Sequence, residues 1–195
     1  PYEQLAWLNL VFEEYDDFFV NMEESIKLEE KHDYSVYAIM TKYLFIAGWY
    51  RDRYLENESE DYFKKAKYYI LKVERQLNKL SPSYDRTSII IELGEYYSFW
   101  EYQNPEKYFT KIRDYLLEGL EQSRYAESYL QEYKCLLELG DLYHSINSNE
   151  DLQYQYYLDA YSLIKKYDLS WSVIESNNFF VVLGRYKEYD KIEEI

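Results

Sequence analysis

The sequence predicts an all-α fold, a solenoid of antiparallel helix pairs, and three observations predict it. Breakers are scarce: 5 Gly and 3 Pro in 195 residues. All-β folds need many turns, and turns need Gly and Pro. Glycine also recurs on a grid, at Gly48, Gly94, Gly140 and Gly184, with steps of 46, 46 and 44 residues. Only Gly119 lies off it. The apolar share is 47%, and 27 tyrosines supply much of it, so a core can form and disorder is not expected. A length of 195 residues suits one domain or one repeat array.

Each grid glycine ends a similar run: Tyr43–Gly48, Ile89–Gly94, Cys135–Gly140 and Phe179–Gly184. A tyrosine follows within three residues (Tyr50, Tyr96 with Tyr97, Tyr143, Tyr186). Fourteen residues past the first three glycines stand Tyr62, Tyr108 and Tyr154. Steps of 4 and 3 then lead to Ala66 and Tyr69, to Ile112 and Tyr115, and to Leu158 and Tyr161. Such steps define one stripe of a helix. Each repeat therefore reads as a glycine-bearing helix followed by a tyrosine-striped one.

The elements follow in order. Residues 2–32 are helical by pattern, as one or two helices. A first pair spans 35–56 and 59–80, with Ser59 as a candidate N-cap. Ser81-Pro-Ser83 breaks the chain before the second pair, 84–102 and 105–121, where Asn104 caps and Pro105 takes the first helical position. The next break, near 122–125, is weak. The third pair spans 125–146 and 150–167, with Glu150 and Asp151 suiting a helix N-terminus. Helices at 171–184 and 186–194 complete the array. The expected organisation is one array over 1–195. An N-terminal segment covers 1–34, repeats cover 35–86, 87–132 and 133–176, and a partial capping repeat covers 177–195.

A glycine inside a helix costs about 1 kcal/mol against alanine, so it needs a packing reason. Close approach of a partner-helix tyrosine ring supplies one. At this point the residues resemble the tetratricopeptide (TPR) repeat. The Leu-Gly-x-x-Tyr runs at Leu93–Tyr97 and Leu139–Tyr143 look like the middle of its first helix. The stripe Tyr154, Leu158, Tyr161 stands where its second helix places small, aromatic and small residues. The resemblance covers roughly 35–195. It departs from the family in its 46-residue period, its tyrosines in place of alanine and its missing closing proline. It implies a TPR-like α-α superhelix, right-handed, with a concave groove lined by first helices that holds an extended peptide.

Four first-helix positions carry over relative to each glycine. They give Lys42, Trp49, Asp52 and Arg53; Ser88, Glu95, Ser98 and Phe99; Lys134, Asp141, His144 and Ser145; and Asn178, Arg185, Glu188 and Tyr189. Four of the sixteen are basic and four acidic, so the net charge of −15 sits on the rest of the chain. The peptide-binding residues expected from this set are Lys42, Trp49, Arg53, Phe99, Lys134, His144, Asn178 and Arg185. Bases and Asn would hold a peptide's main chain or carboxylates, and the aromatics an apolar side chain.

Other chemistry reads weakly. No Gly-rich phosphate loop, nucleophile elbow or zinc motif occurs. Glu29-x-x-His32 and Asp141-x-x-His144 match half of a di-iron motif. They lie 112 residues apart in an array whose repeats touch only their neighbours, so charged faces are the expectation and a metal is not. Cys135 lies in an apolar run and reads as a buried structural thiol. A single cysteine forbids an intrachain disulfide and fits a reducing, cytoplasmic setting. The acidity argues against nucleic acid and anionic membranes. No run approaches a membrane span, and no signal peptide is visible. A chain beginning at Pro1 reads as a processed or excised piece. The expected function is a non-enzymatic peptide- or protein-binding module without cofactor. The alternative is the sensor domain of a regulator resembling Gram-positive peptide-pheromone receptors. A homodimer is left open.

Overall fold

A computed structural model describes residues 1–32, 34–101, 105–145, 149–169 and 184, with backbone alone at 98–101, 105–107 and 145. Of the described residues 88% are helical and none is in a strand. The helices are α1 (Tyr2–Val11), α2 (Tyr15–Lys31), α3 (Val36–Asn57), α4 (Glu60–Gln76), α5 (Tyr84–Glu101), α6 (Pro105–Tyr125), α7 (Tyr129–Ser145) and α8 (Glu150–Tyr167), with a 3₁₀ turn at Leu77–Lys79. The expected helices at 171–184 and 186–194 fall outside the described residues, Gly184 excepted.

The chain divides into two compact units, Pro1–Ser81 and Pro82–Ile195, and the break falls in the Ser-Pro-Ser junction. In the first unit α1 pairs with α2 and α3 with α4, while α2 also packs on α3. In the second, α5 pairs with α6 and α7 with α8, and α7 packs on both α5 and α6.

Burial explains the patterns. On α4 the buried residues are Ala66, Tyr69, Ile70 and Val73, a stripe at helical spacing with charged residues opposite. One side of α4 faces α3. The runs Ile89–Ile91 and Cys135–Leu137 are instead buried at every position. Each belongs to a helix with neighbours on more than one side, so no face of these runs is left for water.

Helix ends account for the few glycines. The left-handed backbone that usually takes glycine is occupied by Glu13 (φ 61°), Glu58 (φ 52°), Glu127 (φ 52°) and Asp168 (φ 50°). At Glu127 the closure is complete: Ser128 N donates to Ser123 O at 2.9 Å. This corrects the weak break expected near 122–125. The helix runs four residues further, to Tyr125, and α7 begins at Tyr129, because an acidic residue stands where a glycine would have marked the stop. Ser59 is at the N-cap of α4 as expected, but its side chain makes no capping bond. Ser35 and Asn149 do cap, accepting from Ala38 N at 3.4 Å and Leu152 N at 3.0 Å.

The tyrosines of each repeat stack. Tyr50 lies parallel to Tyr62 (6.1 Å) and Tyr69 (6.0 Å), and Tyr97 to Tyr108 (5.6 Å) and Tyr115 (6.3 Å). The second-helix partners are equivalent positions, Tyr62 and Tyr108 and then Tyr69 and Tyr115 standing 46 residues apart, whereas the first-helix ring is shifted by one residue, Tyr50 lying two residues past its glycine and Tyr97 three. In the third pair Tyr143 stacks on Tyr156 instead.

The glycines differ among themselves. A Cβ on Gly140 would lie 2.5 Å from the Tyr157 ring, as expected of a close helix approach. On Gly94 it would meet Leu116 at 3.1 Å, not an aromatic. Gly48 is half-buried rather than buried. The off-grid Gly119 is itself a packing glycine: its Cβ would lie 3.0 Å from Cys135 Sγ and 3.3 Å from Ile90, where α6 crosses α5 and α7.

Candidate functional site

In the first unit, α3 presents Lys42, Trp49 and Arg53 on one side of the helix. Lys42 is engaged by its own chain: its side chain is 11% exposed, paired with Glu29 of α2 and, at 3.0 Å, with Glu3 of α1. Trp49 packs edge-on against Phe19 (4.7 Å) and near Tyr15 (5.4 Å), so α2 covers much of its indole. Arg53 lies over the rings of Trp49 (5.0 Å) and Tyr15 (5.2 Å) and pairs with Glu56 at 2.7 Å. Trp49 and Arg53 are thus brought together as a cation–aromatic cluster at the α2–α3 contact, and Lys42 ties three helices instead. A broad cleft of about 490 Å³ lies between α2 and α4, with Tyr50, Phe19 and Tyr69 among its aromatic walls and Glu23 and Lys65 among its charged ones.

In the second unit, α5 and α7, the first helices of successive pairs, enclose a cavity of about 120 Å³. Its wall includes Ser88, Glu95 and Lys134, three of the sixteen positions carried over from the repeat. Two further residues escaped the sequence reading. Gln131 is 3% exposed, and its Nε2 donates to Tyr84 O and to Ser88 Oγ, both at 2.8 Å. The carbonyl of Tyr84 can only accept, which sets the amide's orientation and leaves Oε1 as the opposite end. That Oε1 is buried and has no partner. Glu92 lines the same cavity, and burial, reinforced by Glu95 and opposed by Lys134, pushes its carboxyl up to about 7. The available signal was Glu92, which interrupts the apolar run Ile89–Leu93, whereas Gln131 stands in the mixed stretch Leu130–Lys134 and carries no such signal.

His144 lies on α7 with its Nδ1 2.7 Å from Gln153 Nε2 of α8, and it is not part of the cavity wall. The side chain of Phe99, and Asn178 and Arg185 entirely, lie outside the described residues. The two acid–histidine pairs are engaged elsewhere: Glu29 holds Lys42, and Asp141 accepts from Tyr157 Oη. Among the described residues no group of three or more His, Cys, Asp or Glu side chains converges as a metal site would require. Cys135 is fully buried, and burial, with Glu138 and Glu132 adding to it, pushes its thiol up to about 12. That is an inert thiol. Among the described residues no helix is long and apolar enough to cross a membrane.

Comparison with protein-family models, with curated proteins and with solved structures returned no match.

Proposed function

We propose that this chain is a non-enzymatic, TPR-like module that binds a peptide or protein segment on the face formed by first helices. The observation that carries the reading is the α5–α7 cavity. Ser88, Glu95 and Lys134 come from repeat positions chosen for groove lining, and they meet at one concavity between first helices of successive pairs. A concavity with apolar walls at Ile91 and Leu130 and a few polar groups at defined places is what a side-chain subsite requires. In each of the first two pairs a first-helix tyrosine stacks on the second-helix tyrosine of the repeat, Tyr62 or Tyr108, and this supports the reading of the pairs as copies of one unit.

A random peptide library selected on the whole chain tests this. Glu95 is exposed at the cavity, so Glu95→Trp covers the opening while changing stability by about 0.5 kcal/mol or less. Selected peptides are expected to lose binding to this variant, with the melting temperature unchanged. Peptides that bind Glu95→Trp as before, but are lost on Lys65→Glu, would move the binding site to the α2–α4 cleft and overturn the assignment.

A further inference from the structure

We propose that the outer face of α1 is a self-association surface, on which a second copy of this chain packs its own α1. A surface helix normally turns its polar residues to water and its apolar ones to the core. Helix α1 does the reverse. Its only charged residue, Glu3, pairs with Lys42 of α3 at 3.0 Å, and its Asn9 accepts from Asn21 of α2 at 2.9 Å. Ala6 is fully buried. At about 100° per residue, Leu5, Leu8, Val11 and Phe12 fall on the side away from Ala6. They are between 47% and 74% exposed. On one flank the apolar surface continues through Trp7 to Phe45 of α3, whose rings meet edge-on at 4.9 Å and which are each 39% exposed.

Area, charge and spacing select the occupant. Taking about 200 Å² for a fully exposed large side chain, these six residues present on the order of 600 Å², the upper end of what soluble monomers expose. Two such faces together bury about 1,200 Å², which is where specific protein interfaces begin. The chain carries a net charge of −15, yet the outer face of α1 holds no charged side chain. A basic partner would be held by acids, and this face offers none. An uncharged apolar helix is instead complementary to itself. Leu5, Leu8 and Phe12 follow one another at steps of 3 and 4, the spacing of the seam between paired helices.

The remaining charge gives the contact a signature. Two acidic bodies repel, and salt screens that repulsion while leaving apolar burial in place. Association therefore tightens as salt is added, opposite to a contact held by ion pairs.

The test is sedimentation velocity of the full chain over about 1–300 μM, where a reversible dimer is expected, half-formed near about 10 μM. Raising salt from about 50 to about 500 mM should tighten it. Leu8 stands at the middle of the face, so a symmetric contact brings the two Leu8 side chains together. Leu8→Glu and Leu8→Lys should each weaken the dimer at least about tenfold, by placing like charges opposite one another, and an equal mixture of the two should restore it. Circular dichroism checks that the helices are intact. Should the Leu8 variants fail to fold, Val11→Glu, at the most exposed of these positions, replaces them and should weaken the dimer likewise. A chain that stays monomeric over the whole range overturns the proposal, and so does a dimer that these substitutions leave unchanged. Depletion of a monomeric chain by phosphatidylcholine vesicles would assign the face to lipid and equally overturn it.

Discussion

Gly140 and Gly94 hold the same place in the repeat, yet their neighbours make different demands. The Tyr157 ring against Gly140 is wholly buried and its hydroxyl is held by Asp141, so it has no room to yield. Gly140→Ala is therefore expected to cost about 1–3 kcal/mol through overpacking, despite the gain of about 1 kcal/mol in helix propensity. Leu116 against Gly94 needs to shift only a few tenths of an ångström, so Gly94→Ala should stay within about 1 kcal/mol of the parent. Urea unfolding followed by circular dichroism distinguishes them, and equal losses would show that the Tyr157 ring is not held. Several tyrosine hydroxyls are also held by hydrogen bonds. Tyr43 donates to Glu30 at 3.1 Å, Tyr69 to Glu23 and Tyr157 to Asp141. Burial, then the adjoining carboxylate, raises the phenols of Tyr43 and Tyr69 above their ordinary range. At these three positions richness in tyrosine and richness in acid serve one purpose, since each of the three phenols finds a carboxylate on another helix. The site was only partly legible at this scale. The resemblance to the repeat family implied Ser88, Glu95 and Lys134 as groove positions, of which only Lys134 was expected to bind, and the surroundings of Gln131 depend on which of its two amide ends finds a partner, which no sequence pattern records.

At the scale of the element, the caps separate position from interaction. Asn149 and Ser59 both stand at N-caps, but only Asn149 accepts a hydrogen bond from its helix. Asn149→Ala is expected to cost about 1 kcal/mol, and Ser59→Ala much less, because capping energy resides in the bond and not in the residue type. Thermal melts of the two variants check this, and a Ser59→Ala loss as large as that of Asn149→Ala would refute it. Helix interiors and most helix starts were legible, because periodicity and polar turn residues are local signals. The stop of α6 was not. Its left-handed closure at Glu127 uses a residue with no special preference for that backbone, and it is held by the Ser128–Ser123 bond, which forms only once the turn exists.

For the whole molecule, the division at Ser81 decides what can be tested. The first unit encloses its own core, with Phe18, Met22, Ile26, Met40, Ile46 and Ile70 at or near zero exposure. Each fully buried side chain of this kind contributes about 1.5–3 kcal/mol relative to exposure. A chain ending at Ser81 is therefore expected to fold alone, with a helical spectrum and a cooperative melt. A helical but non-cooperative fragment would show that its core depends on the rest of the chain.

The sequence by itself determined the class and the repeat. Scarce breakers, a 46-residue glycine grid and stripes at helical spacing are properties of the chain as written, and each acts through local geometry. Only the tertiary structure decided which of the equivalent positions line a concavity. Lys42 and Lys134 occupy the same place in the repeat. Lys42 is enclosed by carboxylates from α1 and α2, while Lys134 stands at a cavity between α5 and α7. The difference comes from what each helix packs against, and contacts between residues distant in the chain are set by the fold as a whole.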